Sequence, residues 1–78
     1  MGKAGRALKQ VLANYSISQN RLAVVMGVGP SNVHRWVYEV ADPVGDAILE
    51  IRAGLYKIDP VAAEEFIRLY LAKLDEQE

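Results

Sequence analysis

The stretch Ser18–Trp36, SQNRLAVVMGVGPSNVHRW, constrains this chain more than any other. It holds two short amphipathic patterns joined at Met26-Gly27-Val28-Gly29. In the first, Leu22, Val25 and Met26 recur at i, i+3 and i+4. In the second, Val33, Trp36, Val37 and Val40 recur at i, i+3, i+4 and i+7. Each pattern is the apolar stripe of a helix that buries one face. Ser18 is placed to cap the first helix, because its hydroxyl can accept a bond from a free backbone N–H. Gly27 suits the left-handed turn that ends it. Gly29-Pro30 suits the start of the second, since proline at the first helical position loses no hydrogen bond. Two short helices joined by a tight glycine turn make a helix-turn-helix.

The same residues carry a family resemblance. Ser18-Gln19, Leu22-Ala23, Gly27-Val28, and Val33 three before Trp36 stand at the spacing of the lambda-repressor-like (Cro/Xre-type) helix-turn-helix domains, which this stretch resembles. Pro43 stands where that family often has proline before its fourth helix. The resemblance implies an all-α, five-helix domain that reads DNA with its third helix. It also implies that Gln19, at the start of helix 2, bonds a phosphate beside the groove. Gly29 stands where the family usually has Ser or Thr, and Pro30 where many members carry a base-reading side chain. Val37 replaces the common Glu after Trp, and Tyr38–Asp42 replaces the usual Asn-Gly followed by a basic residue. The acids Glu39 and Asp42 predict weaker phosphate contact there, since salt-sensitive affinity scales with the phosphates neutralised.

The rest of the chain reads as helices at the same period. Ala4, Leu8, Val11, Leu12 and Tyr15 form one stripe of a helix over Lys3–Asn14. Helix 2 is expected over Gln19–Met26 and helix 3 over Pro30–Tyr38, followed by a loop at Glu39–Asp42. Asp42-Pro43 predicts the start of helix 4, with an acid as cap and proline in the first turn. That helix is expected to end near Gly54, a candidate C-terminal stop. Asp59-Pro60 repeats the start signal for helix 5, expected over Pro60–Leu74. Leu8, Leu12, Leu22, Met26, Val33, Trp36, Ile48 and Ile51 are expected in one core. The whole of residues 1–78 reads as a single domain, with the motif at 18–38.

Helix 5 carries an apolar arc of roughly 200°, wider than one small core requires. Ala62, Phe66, Leu69 and Tyr70 are therefore candidate contacts of a homodimer through a dimerisation helix at 60–74. The competing expectation is that Phe66 and Leu69 pack on helices 1 or 4 of the same chain.

Charge is segregated. Residues 1–38 contain Lys3, Arg6, Lys9, Arg21 and Arg35 and no acid, a charge of +5. Residues 39–78 hold all ten acids against four bases, a charge of −6, so the net −1 conceals a basic half and an acidic half. A basic face beside a helix-turn-helix suits phosphate. With Val33, Trp36 and Val37 inward, Ser31, Asn32 and Arg35 share the outer face of helix 3. Arg35 can pair bidentately with guanine O6 and N7. Asn32 can bond adenine or phosphate, and Arg6 on helix 1 is a candidate phosphate contact. His34 lies beside this face as a further phosphate donor.

Enzymatic chemistry finds little to stand on. The chain has one histidine and no cysteine. Gly27-Val28-Gly29 lacks the rest of a phosphate-loop motif. Glu64 and Glu65 are neighbours on a helix and diverge by ~100°. Ligands for a metal centre are not of the right kinds, so no metal or cofactor is expected. No apolar run approaches the ~18 residues of a membrane span, and the N-terminus lacks a signal-peptide core. A cytoplasmic protein is expected, with double-stranded DNA and a second copy as partners. The alternative is a protein-interaction module, an antitoxin or adaptor, on the same fold.

Overall fold

The computed structural model describes residues 3–38, 43 and 45–76, with backbone alone for residue 3 and residues 73–76. Five helices follow one another: α1 (Lys3–Asn14), α2 (Gln19–Met26), α3 (Pro30–Val37), α4 (Asp46–Ile58) and α5 (Pro60–Glu76). Among the described residues there is no strand, and no helix is long and apolar enough to cross a membrane. The helices close into a ring. α2 packs on α3 and α4, α4 on α5, α5 on α1, and α1 on α3. The ring encloses one core, built on Leu8, Val11, Leu22, Val33, Ile51, Leu55 and Phe66, all without solvent exposure.

The expected core holds in its main members. Leu8, Leu12, Leu22, Val33 and Ile51 are buried, while Met26, Trp36 and Ile48 are half-buried and pack against them. α1 buries Ala4, Leu8, Val11 and Leu12 of the stripe its spacing predicts, with Tyr15 half-buried at its end, and adds Ala7.

The first two helices end by the same device. At the end of α2, Gly27 takes φ 75°, its N–H donates to the Val24 carbonyl at 3.2 Å, and the Val28 N–H donates to the Ala23 carbonyl at 3.0 Å. This pair of bonds closes the last carbonyls of a helix in a Schellman turn. At the end of α1, Ser16 stands in the glycine position at φ 56°. Its N–H donates to Ala13, and the Ile17 N–H donates to Leu12 at 3.0 Å. Ile17 is buried as a consequence.

α4 differs from expectation at both ends. It begins at Asp46, after Pro43, which is buried and lies outside the helix. Gly45 is the reason: it adopts φ 54°, ψ −122°, a conformation that cannot belong to a helix and that disfavours a side chain. The proposed cap Asp42 and the loop 39–42 lie outside the described residues. Gly54 does not stop the helix, which continues to Ile58. Gly54 is buried where α4 crosses α2, and a Cβ there would fall 2.6 Å from Met26 Cγ and 3.3 Å from Leu22 Cδ1. The absence of a side chain lets the two helices approach.

The Asp59-Pro60 signal acts as predicted. Asp59 is extended and its carboxylate accepts from the Val61 N–H at 3.0 Å, capping α5. Within α5, Arg68 pairs with Glu65 and holds its carboxyl below the usual carboxylate range, chiefly by hydrogen bonding. Both groups are at the surface, so the pair adds little to stability.

Two substitutions test this account. Phe66→Ala removes the largest sealed side chain and is expected to cost ~3–5 kcal/mol in urea denaturation. Ser16→Gly relieves a left-handed residue that carries a Cβ, and is expected to stabilise by about 0.5–1 kcal/mol. An unchanged or lower midpoint for Ser16→Gly contradicts the strained turn.

Candidate functional site

α2 and α3 are each eight residues long and are separated by Gly27, Val28 and Gly29. The Ser18 hydroxyl accepts from the Arg21 N–H at 3.0 Å, so α2 has the expected N-cap. α3 has no side-chain cap, because Gly29 stands in the cap position, and Pro30 opens the helix instead. Three of α3's eight residues turn inward: Val33 and Val37 are buried and Trp36 is half-buried at the core's edge. The inward anchors aim the other side outward. Ser31, Asn32, His34 and Arg35 are all exposed, as expected from the spacing.

This face is continuous with the end of the helix. Tyr38, the C-terminal cap of α3, is 55% exposed and packs its ring against His34, with centroids 4.4 Å apart. The Lys9 ammonium of α1 lies 5.7 Å from the centre of the same ring. At this distance a cation is attracted to the negative face of the aromatic system. Lys9 and Tyr38 were legible only in part. Tyr38 lies four residues after His34, which is helical contact spacing, but nothing in the order of residues brings Lys9 to it.

Beside Lys9 and Tyr38 a groove of about 310 Å³ runs between α1, the start of α2 and the end of α3. Lys9, Gln19 and Tyr38 supply its polar rim, and Leu12, Ile17 and Val37 its floor. Gln19 is half-buried here rather than simply solvated. Arg6 is exposed on α1. The three exposed bases Arg6, Lys9 and Arg21 and the outer face of α3 thus belong to the acid-free segment 1–38. Among the described residues no group of His, Asp or Glu could hold a metal ion.

The candidate dimer residues divide. Ala62 and Phe66 have no solvent exposure and belong to the chain's own core, so they cannot form a surface for a second copy. Leu69 and Tyr70 are half-buried and pack against that core. The wide arc has a plain cause: α5 lies against both α1 and α4, and two neighbours require a wider apolar face than one.

No protein-family model, no curated protein and no solved structure matches this chain. The resemblance of residues 18–38 therefore rests on their own pattern.

The capping of α2 gives a direct test. Ser18→Ala leaves a backbone N–H of α2 without its partner and is expected to cost ~1 kcal/mol. Ser18→Asp, which restores an acceptor, is expected to recover most of that loss in thermal unfolding.

Proposed function

We propose that the chain is a sequence-specific DNA-binding regulator of the lambda-repressor-like kind, which lays α3 in the major groove and acts as a homodimer. One observation carries the reading. Beyond Pro30, the outward side of α3 offers polar or basic side chains, Ser31, Asn32, His34 and Arg35, on a helix anchored by Val33 and Val37. A helix of this kind presents side chains to base edges, while neighbouring bases and helix starts meet phosphates. Arg35 is the base reader, because its guanidinium fork matches guanine. Ser31 lies one turn before it on the same side. Asn32, His34, Gln19 and Arg6 are the phosphate contacts. The charge of residues 1–38, +5 with no acid in the segment, supports the reading, since affinity for nucleic acid grows with the phosphates that bases neutralise. A single helix of eight residues reaches few base pairs, and a pair of copies doubles that number.

A second reading, a protein-interaction module, is favoured by exposed apolar side chains away from α3. Leu49, Tyr56, Val61 and Leu71 are each more than half exposed.

The test is salt-dependent binding to a mixed duplex pool, with the bound fraction sequenced. A selected site and a falling affinity with salt are expected. Arg35→Ala should then cost ~1–3 kcal/mol and relax the preference at one base pair. Replacing Arg6 with Ala should weaken all sequences alike and lower the salt slope by about one. Gln19→Ala should weaken all sequences without changing the slope, because Gln is uncharged. If the pool yields no enriched sequence and no salt dependence, the groove reading fails and the interaction module takes its place.

A further inference from the structure

Arg52 of α4 and Glu64 of α5 form a salt bridge at 3.2 Å on the outside of the α4–α5 pair. Their side chains remain 42% and 69% exposed, so neither charge is used up by the fold. The bridge marks where the outward ridges of the two helices meet. On α4 that ridge reads Leu49, Arg52, Tyr56, at steps of three and four residues. On α5 it reads Val61, Glu64, Arg68, Leu71, again at steps of three and four. Residues so spaced stand above one another on one side of a helix. Leu49 is 65% exposed, Tyr56 52%, Val61 60% and Leu71 51%. Among the described residues, four of the six large hydrophobic side chains left exposed thus lie on these two ridges, around one ion pair. Arg52 also lies 5.9 Å from the Tyr56 ring, which holds its stem along the ridge.

We propose that this α4–α5 face is the surface through which two copies of the chain pair about a twofold axis, with Arg52 of each copy reaching Glu64 of the other. The inference deepens the reading above, which requires a pair, and it replaces the buried Phe66 face. The charges select the occupant. Nucleic acid finds no run of bases here, since Arg52 and Arg68 are each already paired with an acid, Glu64 and Glu65. A second copy turned by a twofold axis sets plus against minus at the centre of the face, since an isologous contact brings residue i to j and j to i. The apolar side chains around the ion pair then meet their own kind and shed water. Two helices of roughly 20 Å length and ~10 Å width offer ~400 Å² in projection, at the small end of specific interfaces, so the pair is weak and DNA holding both copies tightens it. α3 packs on α1 and α2, and pairing through α4 and α5 leaves its outer side open.

The decisive experiment is a charge exchange read by sedimentation equilibrium without DNA. Wild-type chain is expected to rise from its 8.6 kDa toward twice that mass in the high micromolar range. Arg52→Glu and Glu64→Arg each place like charges across the axis and should each weaken pairing roughly tenfold or more. Mixed in equal amounts, the two variants meet with opposite charges at both contacts, and the mixture should regain wild-type association. Circular dichroism checks that each variant keeps its helices. Because the chain has no cysteine, Tyr56→Cys and Val61→Cys provide a second measurement. A short bis-maleimide should link copies at one or both of these positions and fail to link Val24→Cys, which is exposed elsewhere on α2. A wild type that stays at single-chain mass overturns the proposal. So does a mixture no stronger than either variant, or linking at Val24→Cys alone. DNA binding with no pairing leaves the regulator reading standing and removes this face from it. Pairing with no DNA binding does the reverse.

Discussion

Phe66 sits in the core beneath α5, and the closure of the helix ring depends on the burial it supplies. A chain of this size hides only ~60% of its unfolded surface. Phe66 is the largest side chain that it seals completely. α5 therefore turns Ala62, Ala63 and Phe66 inward between α1 and α4. With that contact made, α1 is held against α3, and Val33 and Val37 have a wall to pack on. The outward aim of Ser31, Asn32 and Arg35 is the far end of this chain of contacts. A loss at Phe66 is felt at α3 although the two share no chemistry.

The fold also separates two kinds of surface. The acid-free segment supplies α1, α2 and α3, and these three helices surround a groove rimmed by Lys9, Gln19 and Tyr38. The acidic half supplies α4 and α5, whose outer ridges alternate apolar side chains with paired charges. One surface suits an anion and the other suits a protein. The proposed regulator uses both, each in the role its charge favours.

Helix boundaries show how local signals compete. Asp42-Pro43 and Asp59-Pro60 are the same dipeptide with the same start signal, yet only the second opens its helix. The difference lies two residues later. Gly45 takes a positive φ that no helix accommodates, whereas Ala62, at the same distance from Pro60, lies within α5. Gly54 shows the converse. It carries the residue type of a helix stop, but α2 crosses there, and the gain from close packing keeps α4 intact through it.

Much was legible in the order of residues because helical periodicity is a local property. The five helices, the caps Ser18 and Asp59, the turn at Gly27 and the inward set Leu8, Leu22, Val33 and Ile51 all follow from spacing and capping chemistry. The exposed face of α3 follows too, since a stripe that must be buried defines the side that remains. What periodicity cannot state is which helix covers which face. The width of the α5 arc was plain, but whether it met a second chain or two neighbours in its own chain depended on the closure of the ring. The approach of Lys9 to Tyr38, the joining of Arg52 to Glu64, and the crossing at Gly54 are contacts between distant residues. Only the tertiary structure decides them, because they arise from how whole helices pack rather than from any preference within one.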